Sequence, residues 1–371
     1  MRAFEGNQLQ DLMDALQERG YTLIAPTRRD GAIVYDEVDG VRDLPAGWTD
    51  DQSPGTYRLK RRDDSAFFGY NVGPHSWKRF LFPPSDRLWS AELEGQLFQI
   101  HPQPPDEKRY AYIGMRACEL AAVTVQDRVL LDGEHQDPAY QERRSRAFFV
   151  AVECRQAAPT CFCASMGTGP AIESENDLHH YDLSLAEVVD GGRHFFLVQG
   201  ASERGEKVLT DMTLREASSD EVEVDKSTAL EMTSDLPVEG WRESLLGALE
   251  DPRWSEIEER CLACGNCTLT CPTCFCVDVE DSTDLGGTHT ERWRHWDSCF
   301  NTDHSYLHGG SVRVSTESRY RQWLTHKLAT WVDQFDTTGC VGCGRCIVWC
   351  PVGIDIREEA NRFHKKTEET R

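Results

Sequence analysis

Fifteen cysteines punctuate this sequence of 371 residues, and eight of them stand in two runs of one form, C-x-x-C-x-x-C-x-x-x-C-P. The first run, CLACGNCTLTCP, places Cys261, Cys264, Cys267 and Cys271 before Pro272; the second, CVGCGRCIVWCP, places Cys340, Cys343, Cys346 and Cys350 before Pro351. Three thiolates two residues apart can wrap three irons of one 4Fe-4S cubane as a loop turns, while the fourth, leaving on the helix after the loop, points to the other cluster. The sets are then crossed: Cys261, Cys264, Cys267 and Cys350 for one cluster, Cys340, Cys343, Cys346 and Cys271 for the other. A zinc ribbon or a redox dithiol uses similar local spacing. Zinc needs only four ligands per site, and two matching four-part runs, each closed by proline, exceed what it explains. Gly265, Gly342 and Gly344 would let backbone amides approach cluster sulfurs, or serve only the conformational needs of tight loops.

Seven cysteines remain. Cys118, Cys154, Cys161 and Cys163 each lie where a strand pattern gives way to a loop or helix, and four thiols could close a third 4Fe-4S cubane. A helix N-terminus near Cys118 would stabilise both its thiolate and the negative charge of a cluster; the plainer alternative is that some of the four are buried structural cysteines. The pentapeptide PTCFC occurs at 159–163 and again at 272–276. Cys274, Cys276 and Cys299 are left over as alternative ligands, as lining of a gap between domains, or as part of a further cluster with a non-cysteine ligand. His295 stands beside tryptophans and is read as a packed or surface residue, not a ligand. Trp293, Trp296, Trp323, Trp331 and Trp349 crowd the same region and are read as packing.

The elements that must hold these thiols can be outlined from the pattern. Residues 1–21 read as an amphipathic helix, 110–114 as a buried strand followed by a helix from near Cys118, and 147–154 as a second strand running into the loop RQAAPTCFCASMGTGP. Strand-like pieces separated by acidic turns fill 181–235, and the acidic stretch before residue 240 reads as a hinge. Helices are expected over 241–260, 318–335 and 356–369, with a polar insertion after the first cysteine run. The fold class is α+β: an N-terminal α/β-type domain with a cysteine-bearing loop region over 1–240, then a mainly α-helical dicluster ferredoxin-like domain over 241–371.

Composition excludes several function classes. The formal net charge of -23 repels phosphate backbones and anionic lipid, so neither nucleic acid nor a membrane is an expected partner. No signal-peptide core and no apolar run of spanning length interrupts the chain, which places it in the cytoplasm, where reduced thiols favour metal ligation over disulfides. There is no G-x-G-x-x-G after a strand and no G-K-[ST] loop, so NAD and ATP sites are not supported, and the short loop SMGTGP does not support flavin.

The segments GMRACELAAV, CRQAAPTCFCASMGTGP, CLACGNCTLTCPTCFCVDVED, RWRHWDSC and GCGRCIVWCPVGIDI occur in the order found in the sulfhydrogenase beta subunit family, and from about residue 75 to 360 the chain resembles that family. It is also similar to the electron-transfer subunit of anaerobic sulfite reductase. The resemblance implies a non-catalytic relay between a flavin subunit oxidising NAD(P)H and a catalytic partner, the small and large subunits of a nickel-iron hydrogenase or the sulfite reductase subunits. One departure stands out: Arg116-Ala117-Cys118-Glu119 replaces the family's R-P-C-D, and loss of the proline leaves the turn before Cys118 less restrained. An enzyme acting on a sulfur substrate through Cys274, Cys276 and Cys299 is the rival reading.

Overall fold

The computed structural model describes residues 1–369 apart from positions 105 and 174, and is silent on the side chains of 365–369. Its fold is α+β. An eight-stranded mixed sheet runs in the order Arg215–Glu216, Arg2–Glu5, Arg193–Gly200, Leu183–Asp190, Phe148–Val152, Arg109–Met115, Tyr21–Arg29, Ala32–Val38. The four consecutive strands from Leu183–Asp190 to Tyr21–Arg29 are mutually parallel. Phe148–Val152 is buried at every position, as a parallel strand covered on both faces must be. Its residues alternate between two cores: Phe148, Val150 and Val152 face one with the helix Leu9–Glu18, while Phe149 and Ala151 face the other with the helix Ala117–Leu130.

The helix Leu9–Glu18 buries Leu9, Leu12, Met13 and Leu16, the i, i+3, i+4, i+7 stripe of a surface helix. The chain does not start in that helix, however, because Arg2–Glu5 pairs with Phe195–Val198 as a strand. Ala117–Leu130 is different: residues 117–126 are buried all round, since this helix is sandwiched between the sheet and the C-terminal half, where Gln126 Nε2 donates to Thr273 O at 2.9 Å.

The expected hinge before residue 240 contains a helix, Ser219–Ser227, started by a capping box between Ser218 and Glu221. The helix expected over 241–260 is two, Val238–Gly247 and Arg253–Glu258, with Pro252 between them. Thr316–Thr325 and Trp331–Phe335 flank a π-helical turn, His326–Thr330. The insertion after the first cysteine run is a hairpin, Val277–Thr283 and His289–Trp296, and it pairs with Ser85–Glu94 of the N-terminal half to make a four-stranded sheet edged by Leu97–Pro102. A third core gathers Trp241, Trp254, Tyr320, Trp323, Ile347 and Phe363 of the C-terminal half around Phe162 of the N-terminal half.

Candidate metal centres

The two cysteine loops turn through glycines in the left-handed region: Gly265 has φ 73°, Gly342 65° and Gly344 75°. A side chain at Gly342 would place Cβ 2.6 Å from the backbone of Cys163, and one at Gly344 would reach Thr160 O at 2.6 Å. Both close approaches fix these positions as glycine. They also show what the second run leans on, namely the first PTCFC copy.

The structure groups twelve of the fifteen cysteines into three neighbouring sets. Cys261, Cys264, Cys267 and Cys350 line one opening, with Tyr320, Trp323 and Ile354 on its apolar walls. The amide of Ala263 donates to Cys261 Sγ at 3.4 Å and that of Ile354 to Cys350 Sγ at 3.3 Å. Burial, then the adjacent Cys261, Cys350 and Cys264 thiols, push the Cys267 thiol well up. Such crowding opposes ionisation until a cation replaces the protons. Beneath the loop, Ser298 meets Thr268 at 2.7 Å.

Cys340, Cys343 and Cys346 stand with Cys271 in the second set; burial and then Cys340, Cys271 and Cys343 raise the Cys346 thiol. Lys327, buried on the π-helical turn, donates to Gly339 O at 2.8 Å, to Thr273 Oγ1 at 3.2 Å and to Cys271 Sγ at 3.4 Å. A hydrogen bond from Cys274 and the Lys327 charge hold the Cys271 thiol well below its ordinary range. The wide turn is a known device for re-aiming side chains at functional sites.

The third set is assembled by sheet topology. Cys118 opens the helix that follows Arg109–Met115, Cys154 lies just past Phe148–Val152, and these parallel strands are neighbours. Thiols at the carboxyl ends of adjacent parallel strands fall together, as ligands of open α/β sheets do. With Cys161 and Cys163 of the PTCFC loop they line one opening, and Cys343 of the second set shares its wall. Burial pushes the Cys161 thiol up to about 12. Arg116 crosses behind Cys154, donating to Glu153 O at 2.7 Å and Tyr70 O at 3.3 Å.

Glu119 restrains the turn before Cys118. Its Oε2 accepts from the Arg116 amide at 3.2 Å and from Tyr35 OH at 2.9 Å, and its Oε1 accepts from Arg345 Nη2 at 2.5 Å. Arg345 also donates to Gly73 O at 2.7 Å. The ion pair is fully buried and clamps the second cysteine run to the helix of Cys118. Glu119, Lys327 and Arg345 are site residues that cysteine spacing does not reveal; a lysine and an arginine beside apolar helix positions were the only signal.

Cys274 is buried beside Cys271, with Lys78 Nζ donating to its carbonyl at 3.0 Å. Cys276 and Cys299 pair with each other, and Cys299 lies close enough to Cys267 of the first set to feel its charge. His295 is half-exposed and stacked on Trp293, away from the thiols; His304 is the histidine that reaches them. Among the described residues no three His, Cys, Asp or Glu side chains converge closely enough to hold a single ion, and none of their helices is long and apolar enough to cross a membrane.

Sulfur-only donors, four to a set, fit 4Fe-4S clusters. Comparison with known proteins agrees. The model of the 4Fe-4S dicluster domain matches residues 260–354, a span holding both cysteine runs. Sulfhydrogenase 2 subunit beta of Pyrococcus furiosus is 29% identical over 286 residues, 75% of this chain and 79% of that protein. No solved structure matches the chain. The chain is thus an iron-sulfur electron-transfer protein with a 4Fe-4S dicluster domain, similar to a sulfhydrogenase beta subunit over most of its length.

Proposed function

We propose that this chain is the relay subunit of a multi-subunit oxidoreductase, with Cys118, Cys154, Cys161 and Cys163 holding one 4Fe-4S cluster, Cys340, Cys343, Cys346 and Cys271 a second, and Cys261, Cys264, Cys267 and Cys350 a third. Bound clusters would supply one-electron redox chemistry. The observation that carries the reading is continuity: Cys343 enters the wall of the N-terminal opening and Cys346 that of the opening lined by the first run, so the middle loop serves both neighbours. Lys327, Arg345 and Arg116 set positive charge beside the buried thiolates, which favours their ionised, metal-binding form. The Glu119–Arg345 pair fixes the spacing between the N-terminal and middle sets.

At the far end the chain offers an exit. Cys264 is exposed, and Leu262 and Val352, which line the same opening, are 63% and 43% exposed. An apolar patch over a redox site suits docking of another subunit. In this reading the partners are a flavin subunit oxidising NAD(P)H and the small and large subunits of a nickel-iron hydrogenase; the likeness to a sulfhydrogenase subunit favours these over sulfite reductase subunits. The chain itself supplies no catalytic residue to the partners' reactions.

Anaerobic purification followed by iron and acid-labile sulfide analysis is expected to give about 12 of each per chain, with no turnover until the partner subunits are added. About eight irons would remove the N-terminal site, and NAD(P)H- or hydrogen-linked turnover by the isolated chain would overturn the relay.

A further inference from the structure

Cys276 ends the second PTCFC copy, one residue before the strand Val277–Thr283, and Cys299 follows the partner strand His289–Trp296. The Asp297 amide donates to Cys276 O at 2.9 Å, closing the base of the hairpin so that the two thiols lie close enough to perturb each other. His304, from the short turn Asp303–Ser305, stands beside Cys276 and bonds through Nδ1 to the Asp297 carboxylate, which also accepts from Asn301. A carboxylate thus orients an imidazole that faces a thiol, the arrangement that activates a cysteine. Hydrogen bonds from Cys299 and His304 draw the Cys276 thiol well down against its burial, so that Cys299 keeps the proton of the pair. Both cysteines are only half-buried and the His304 side chain is 26% exposed, so the pair is open to solvent on one side.

We propose that Cys276 and Cys299, which are not among the twelve cysteines of the three sets, form a thiol-disulfide exchange site, independent of the relay reading, that takes a small or protein-borne disulfide. The Cys276 thiolate attacks one sulfur of R–S–S–R; a Cys276–S–S–R bond forms, the original S–S bond breaks, and the leaving thiolate takes a proton from the His304 imidazolium. His304 then takes the Cys299 proton as Cys299 attacks the mixed disulfide. The Cys276–Cys299 bond forms and the second R–S⁻ departs. Two electrons pass from the protein thiols to the disulfide, and an external dithiol reverses the sequence.

The test uses the full chain with its native metal content. It is equilibrated anaerobically across a range of oxidised and reduced dithiothreitol, alkylated and digested. A peptide pair linked through Cys276 and Cys299 should form and vanish reversibly, and should be missing in Cys276→Ser and in Cys299→Ser, both keeping the wild-type iron content. At pH 6, iodoacetamide should label Cys276 at least about tenfold more slowly in His304→Gln than in wild type. Absence of the linked pair across the whole range, an unchanged labelling rate in His304→Gln, or loss of about four irons in either serine variant, which would make these thiols ligands, overturns the proposal. Iron missing from the wild type would count against the relay reading alone, since the link is read by mass.

Discussion

The two PTCFC copies make a natural comparison, because one five-residue string meets two fates. Both copies bury their threonine completely, and both rest on the segment around the second cysteine run, Thr160 against Gly344 and Thr273 Oγ1 on Gly339 O at 2.6 Å. Their thiols then diverge. Cys161 and Cys163 face one opening because Cys118 and Cys154 are brought there by parallel strands. In the second copy Cys274 meets Cys271, whereas Cys276 meets Cys299 at the mouth of the hairpin. The pentapeptide is a docking segment first; what a third element brings beside it decides what its sulfurs can do.

The sharpest way to break this comparison is to exchange the thiols. Cys161→Ser or Cys163→Ser is expected to remove about four irons per chain, while Cys276→Ser removes none, as metal analysis will read. Equal losses in both copies would erase the distinction. Next in size is the clamp between the helix of Cys118 and the second cysteine run: Glu119→Gln leaves Arg345 charged and without its carboxylate in a dry interior, and should cost about 3–5 kcal/mol, seen as a large drop in melting temperature. A double Glu119→Leu, Arg345→Met exchange should recover much of that loss. For the second copy, Lys327→Met removes the cation beside Cys271 and should lower the reduction potential of the middle site by on the order of 100 mV in a mediated titration; no change would make the lysine a packing residue.

The smallest effect is protonic. A hydrogen bond to Cys276, helped by one to Asp297, raises His304 to about 9. A raised folded value means that the charged contact stabilises fully below the unfolded value near 6.5 and is lost as pH climbs through about 9. The imidazole resonances should therefore titrate near pH 9 in wild type, and move back toward the ordinary histidine range in Cys276→Ser.

The grouping of the cysteines was readable to an uneven degree. Two-residue spacing closed by proline is local, and it is enough to put Cys350 with the first run and Cys271 with the second. The strand-turn-helix around Cys118 was visible in its apolar run and breaker residues. That Cys118 and Cys154 become neighbours depends on strand order, which no window of residues contains. The helix that begins the acidic stretch before residue 240 was signalled by Ser218 and Glu221, which stand at capping-box spacing. Pro252 likewise announced the break between the two helices after residue 240. The hairpin Val277–Thr283 and His289–Trp296 was missed because its first strand is exposed beyond Val277 and its partner, Ser85–Glu94, lies in the other half of the chain. Lys327 and Arg345 were missed because a buried cation is defined by what surrounds it.

That shared sheet also imposes an order on biosynthesis. When Ser85–Glu94 leaves the ribosome it has the strand Leu97–Pro102 on one side, but its other side stays bare until His289–Trp296 follows, about two hundred residues later. At ribosomal rates this is a wait of roughly 10–40 s, during which the nascent chain shows an unpaired edge beside Leu97, Phe98 and Ile100, all exposed even in the finished fold. The last cysteine run to be translated is also the one that supplies Arg345 to Glu119, so the amino-terminal half is completed only by residues made near the end.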